Sequence, residues 1–167
     1  MTATFIELSS SRAIETAINR AMSWEYPSLV VGDPGTGKTT ALRHFVTKYN
    51  GFYCEVNEKT KAPGGLYKML IQTMIGHRSG RTMWDDGEQL STFLCHRWNG
   101  DRRPLFVDEQ QAFEAPALRE LLHVCEEGCI PLILAGNRER LAKIQTRDAA
   151  ALEQIRSRIG WRVHLGP

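Results

Sequence analysis

No stretch of this 167-residue chain is long and apolar enough to cross a membrane as a helix. The opening residues, Met1-Thr2-Ala3-Thr4-Phe5-Ile6-Glu7, lack the basic segment followed by an apolar one that marks a secretory signal. Cysteine is scarce. Cys54, Cys95, Cys125 and Cys129 form no C-x-x-C pair, and Cys125 and Cys129 have no second pair to complete a zinc site. His123 beside them leaves two readings, a metal site or a core helix with small apolar positions, and the second is the commoner use of such cysteines. Internal repeats, low-complexity runs and long linkers are missing too. These absences exclude a helical membrane protein, a disulfide scaffold and a solenoid. They predict a reduced, cytoplasmic, globular protein with no membrane partner, whose residues 1–167 make one domain.

What is present begins with glycine. Residues 32–39 read Gly32-Asp33-Pro34-Gly35-Thr36-Gly37-Lys38-Thr39, a full G-x-x-x-x-G-K-T. The apolar run Leu29-Val30-Val31 precedes it and a helical pattern follows, which is the strand-to-helix setting a phosphate loop needs. Glycines let successive backbone N–H groups point inward as an anion nest, and the helix N-terminus adds its positive end. Residues 32–39 with Thr40 are the expected phosphate cradle. Lys38 is placed to reach the β- and γ-phosphates of a nucleotide, and Thr39 to ligate Mg²⁺.

Elsewhere apolar runs alternate with helical stripes. Strands are predicted at 28–32, Phe52–Val56, Pro104–Glu109, Ile130–Ala135 and Trp161–Leu165. Helical stripes are Ile14/Ala17/Ile18/Ala21, Ala41/Leu42/Phe45/Val46/Tyr49, Leu66/Met69/Leu70/Met74, Leu90/Phe93/Leu94/Trp98 and Leu118/Leu121/Leu122/Cys125. Residues 57–65 read as a loop, Asp85 with Glu88 as a capping box, and short helices are expected near 138–145 and 148–157. Five nearly continuous apolar strands separated by helices predict an α/β fold with a parallel sheet covered on both faces.

In such sheets ligands bind beyond the carboxyl ends of the strands, where Asp108-Glu109 and Gly136-Asn137 also fall. A buried strand has no packing reason to end in two acids. Asp108 is placed to hold Mg²⁺ opposite Thr39, and Glu109 to orient or deprotonate an attacking water. A small-molecule kinase has no need of such a base, so the pair favours hydrolysis. Asn137, directly after the fourth strand, is a neutral amide able to bridge that water and the γ-phosphate. Arg156 and Arg158 face away from Ile155 and Ile159. An outward arginine serves a neighbouring subunit's nucleotide as a finger, a surface ion pair, or a DNA phosphate.

Net charge is only +2, but residues 43–81 and 138–162 are basic and the stretch between them acidic. Two readings stand, a polyanion-binding face or a mixed-charge solvated surface.

Taken together these motifs resemble those of an AAA+ ATPase. The phosphate loop resembles its Walker A motif, Leu105–Glu109 its Walker B, Asn137 its sensor 1 and Arg158 its arginine finger. The segments Asp108-Glu109-Gln110-Gln111, Leu134–Leu141 and Arg158–Pro167 resemble the branch containing phage Mu B-type and TniB-type transposition ATPases and ExeA-type secretion ATPases. The resemblance implies a P-loop three-layer sandwich with strand order 5-1-4-3-2, Mg²⁺-dependent ATP hydrolysis at sites shared between subunits, and assembly into rings or helical filaments. For the transposition members it implies duplex-DNA binding, target delivery and stimulation of a transposase. Lys59, Lys61, Lys68 and Arg81 are the candidate DNA contacts. An ExeA-like ATPase that serves a partner without DNA is the alternative. The family's helical lid and N-terminal DNA-binding domain have no counterpart in these residues.

Overall fold

A computed structural model describes residues 9–24, 26–76, 82–97, 102–137, 153 and 155–166. The helices predicted near 138–145 and over most of 148–157, together with Trp98 and Arg81, lie outside the described residues.

Five strands, β1 (Ser28–Gly32), β2 (Phe52–Glu55), β3 (Leu105–Asp108), β4 (Leu132–Asn137) and β5 (Trp161–Leu165), form one sheet in the order β2-β3-β4-β1-β5. All pairs are parallel. Read from the other edge the order is 5-1-4-3-2, as the resemblance implies. Helices α1 (Ser9–Trp24) and α2 (Lys38–Lys48) cover one face. Helices α3 (Pro63–Met74), α4 (Met83–Arg97) and α5 (Ala115–Glu127) belong to the other. No helix among the described residues is long and apolar enough to span a membrane.

Side-chain alternation along each strand sorts the core into two layers. Phe106 and Ile133 point to Ile14, Ile18, Leu42 and Phe45 of α1 and α2. Leu105, Val107, Leu132 and Leu134 point the other way, to Leu66, Leu70, Leu121 and Leu122. Both sets are buried, which is why these strands read as unbroken apolar runs. Cys125 is packed inside the second layer, and burial pushes its thiol up, whereas His123 is exposed beside Glu127 at 3.5 Å. The two side chains point to different environments, the behaviour of a core helix.

Three expected boundaries shift. α3 begins at Pro63, inside the segment read as loop, because proline suits the first turn, where no intrahelical N–H donor is required. A side chain at Gly65 would put its Cβ 2.2 Å from the Lys59 carbonyl oxygen, so the loop rests directly on the helix. The capping box of α4 is Thr82 with Asp85, not Asp85 with Glu88. The Thr82 N–H donates to Asp85 Oδ2 at 2.9 Å and the Asp85 N–H to Thr82 Oγ1 at 3.2 Å. Gly136 and Asn137 are the last residues of β4 rather than a turn after it, because the ladder to β1 continues to the pair Gly32–Asn137.

Candidate functional site

That register assembles the site. At the carboxyl edge Gly32 lies between Leu165 of β5 and Asn137 of β4, and the chain leaves β1 into the glycine loop. Gly35 and Gly37 hold φ of +84° and +78°, left-handed values that strain any residue with a side chain. Gly37 caps α2 without a side-chain bond, so the first N–H groups of the helix face the loop. Thr36 donates its N–H at 3.3 Å and its hydroxyl at 2.8 Å to the Asp33 carbonyl, which closes the turn.

Lys38 is buried and folded back over its own loop. Its Nζ donates to the Gly32 and Asp33 carbonyls, both at 2.8 Å, and to Thr36 Oγ1 at 3.2 Å. Those are all the donors an ammonium has. Pro34, Thr39 and Thr40 are exposed on the same loop and first helical turn.

Asp108 is buried and accepts three hydrogen bonds. Thr39 Oγ1 donates to its Oδ2 at 2.6 Å, the Tyr53 hydroxyl to the same oxygen at 3.2 Å, and the Glu109 N–H to its Oδ1 at 2.9 Å. The expected Thr39–Asp108 opposition is therefore a direct contact across 69 residues of sequence. A threonine hydroxyl beside a carboxylate is the hard-oxygen chemistry that suits Mg²⁺.

Glu109, expected as the last residue of the third strand, lies outside β3, which ends at Asp108. It turns out of the strand in the left-handed region, φ 54° and ψ 33°, and opens a 3-10 turn, Gln110–Ala112. A non-glycine residue in that conformation is strained and needs its surroundings to hold it. Gln111 does part of this: its side-chain amide donates to Glu109 Oε2 and accepts the Asn137 N–H at 3.0 Å.

Two contributors escaped the sequence reading. Tyr53 reaches Asp108 from β2, and burial pushes its phenol up to about 12, which keeps it a donor. The Arg43 guanidinium sits 5.4 Å over its ring. A tyrosine in a strand looks like ordinary β-propensity, so no signal marked it. Gln111 had one, since the Asp-Glu-Gln-Gln run puts two amides after the acids.

The remaining candidates lie elsewhere. Lys59, Lys61 and Lys68 occupy the loop after β2 and the adjoining α3, with Lys59 and Lys68 exposed. The loop is ordered by Asn57, whose Oδ1 accepts the Lys59 N–H at 2.9 Å. Lys61 pairs with Glu58 at 2.8 Å. Arg158 precedes β5 and so stands at the amino edge of the sheet, the end opposite the glycine loop, with β1 and β5 aligned from Ser28–Trp161 to Gly32–Leu165. Arg156 and Arg158 are both exposed, and Arg158 lies 3.7 Å from Glu126 of α5. A groove of about 510 Å³ beside them is lined by Arg119, Glu120, His123 and Arg158. The structure thus brings Lys38, Thr39, Asp108, Glu109 and Asn137 together and leaves Arg158 apart.

The family model described as "AAA domain" matches residues 23–145, a span covering the glycine loop, β3 and β4. The chain belongs to the AAA domain family. This AAA domain is 27% identical over 135 residues to the Mu-like prophage FluMu DNA transposition protein B of Haemophilus influenzae, a match covering 80% of the chain and 45% of that protein. The chain therefore spans less than half the length of that relative. Among solved structures, its fold is similar to Cdc6p from Pyrobaculum aerophilum, with TM-score 0.63 and 14% identity over 99% of this chain and 48% of that one. It is likewise similar to a chain in the Drosophila ORC complex with poly(dA/dT) DNA and Cdc6, with TM-score 0.63 and 15% identity over 93% of this chain and 29% of that one. Identities this low speak for the AAA fold alone. The family is one of nucleotide-hydrolysing ATPases, and the similarity to a Mu-type B protein agrees with the branch that the sequence motifs resemble.

Proposed function

We propose that this AAA domain binds and hydrolyses Mg²⁺-ATP, and that its nucleotide state governs self-assembly on duplex DNA in transposition. The observation that carries the hydrolytic reading is the Thr39–Asp108 hydrogen bond, which joins the glycine loop to the acidic end of β3. Thr39 and Asp108 would hold the metal, which when bound neutralises charge on the phosphate oxygens. Gly32–Thr40 would cradle the phosphates. Lys38 would exchange one loop acceptor for a phosphate oxygen, since its three donors are otherwise spent on the loop. Glu109 orients or deprotonates the attacking water, and Asn137 holds that water against the γ-phosphate.

Arg158 is assigned to the neighbouring subunit's nucleotide. Its place at the amino edge supports this, because four strand steps, about 13 Å, separate that edge from its own glycine loop. The active site is then shared between copies in a ring or helical filament. The transposition reading rests on the relative, a DNA transposition protein by its description. Lys59, Lys61 and Lys68 are the described candidates for DNA phosphates, with Arg81 as the fourth, and a transposase is the protein partner.

The Lys61–Glu58 pair favours a second reading, because it halves the charge that the loop offers to DNA. An ATPase coupled to a protein partner without DNA fits that loop as well. A gel shift decides between them. ATP-dependent duplex binding that weakens with salt supports transposition, and its absence leaves the partner-coupled ATPase. For hydrolysis, Glu109→Gln is expected to bind ATP normally and to lose phosphate release. Full turnover in that variant would remove Glu109 from the mechanism.

A further inference from the structure

We infer that Gln111 is the positioning residue that couples the water-activating carboxylate of Glu109 to strand β4. This rests on the hydrolytic reading above. The Gln111 side chain is buried, and its two amide atoms have different partners. Its Nε2 donates to Glu109 Oε2 and its Oε1 accepts the Asn137 N–H at 3.0 Å. The amide therefore cannot rotate without breaking one bond or opposing like with like.

Gly136 makes this bridge possible. A Cβ there would sit 2.5 Å from Gln111 Oε1 and 3.0 Å from Gln110 Nε2. The approach of amide to strand is closer than any side chain at that position permits. Glu109 meanwhile leaves β3 in a left-handed conformation, which aims its side chain along a direction the strand itself would not supply. Anchoring at Asn137 means that the carboxylate and the Asn137 side chain, two groups proposed to act on one water, hang from a single rigid point. Rate then depends on Gln111 through geometry, while ATP binding, which uses the glycine loop and Lys38, does not.

Two substitutions separate the arms of the bridge. Gln111→Met removes both. Gln111→Glu keeps the size and the acceptor for Asn137 but sets a second carboxylate against Glu109. Steady-state hydrolysis of Mg²⁺-ATP should show kcat reduced at least about tenfold in both, with KM within twofold of the unsubstituted chain. Amide exchange at Asn137 should accelerate in Gln111→Met and stay slow in Gln111→Glu, because only the first loses the acceptor.

Unchanged kcat in both variants, a KM that rises in step with the fall in kcat, or unaltered Asn137 exchange in Gln111→Met would overturn the inference. If Gln111→Met does not fold, Gln111→Glu carries the kinetic test. If neither folds, Gln111 is a packing residue and the inference falls. Glu109→Gln assayed in parallel tells the two readings apart. Turnover lost in Glu109→Gln but kept in the Gln111 variants sinks the positioning role alone. Turnover insensitive to Glu109→Gln removes Glu109 from the mechanism and the positioning role with it, whereas no hydrolysis by the unsubstituted chain sinks the hydrolytic reading itself.

Discussion

At the carboxyl edge of the sheet Lys38 donates to three oxygens of its own loop and Asp108 accepts three hydrogen bonds. At the amino edge Arg158 meets Glu126 across 3.7 Å with both side chains more than half exposed. One end has its polar groups desolvated and pinned, so their geometry is set before any ligand arrives. The other offers a solvated cation whose pairing is weak and exchangeable. That contrast is what the proposed division of the site between two copies would require. On the proposed reading, groups acting on the chain's own nucleotide are preorganised, and Arg158, the group proposed for a neighbour, is left in a pairing that can exchange.

The contrast breaks or sharpens under substitution, and the expected costs to the fold descend from the pinned end to the solvated one. Asp108→Ala leaves the Thr39 and Tyr53 hydroxyls and the Glu109 N–H without their acceptor. It should cost about 3 kcal/mol in urea denaturation, and should lower ATP turnover by about 100-fold or more. Gly136→Ala forces a Cβ against Gln111 and should cost about 1–3 kcal/mol by the same measurement.

Tyr53→Phe removes one donor to Asp108 and should cost about 1 kcal/mol near neutral pH. It also has a pH signature. Burial raises the Tyr53 phenol to about 12, so the folded chain keeps a proton that the unfolded chain releases near 10. Its contribution is full below pH 10 and is lost as pH rises through 12. Tyr53→Phe should therefore flatten the alkaline fall in stability. Tyr67, also raised to about 12 mainly by burial, keeps part of that fall.

Arg158→Ala should cost less than about 1 kcal/mol, an ordinary exposed pair. Yet it should lower turnover in assembled protein by about 10³-fold. Mixing it with Lys38→Ala, which retains Arg158, should restore hydrolysis. A large stability loss in Arg158→Ala, or no rescue in the mixture, would erase the distinction between the two edges.

Much of this was readable from the chain. The glycine loop is legible because glycine adopts the left-handed backbone at positions 35 and 37 without strain, so the residue type is a direct clue to the conformation. The strands are legible because burial on both faces demands continuous apolar runs, and Asp108 stands out as an acid ending one of them. Helix starts were less so. Pro63 in a first turn and Thr82 as a cap are ambiguous alone, and their roles depend on which backbone groups are left open. Glu109 reads as a strand residue, since nothing in a glutamate announces a positive φ. Tyr53 and Gln111 act through partners far away in sequence or across strands, and a single chain does not display those distances.

The sequence alone determined the glycine loop, the parallel α/β class and the presence of acids at a strand end, because each follows from local backbone limits or from periodic burial. Tertiary structure alone decided three things: that Thr39 touches Asp108, that Gln111 ties Glu109 to Asn137, and that Arg158 stands at the far edge from its own loop. Those facts depend on strand order and register, which a sequence constrains only through contacts between distant residues.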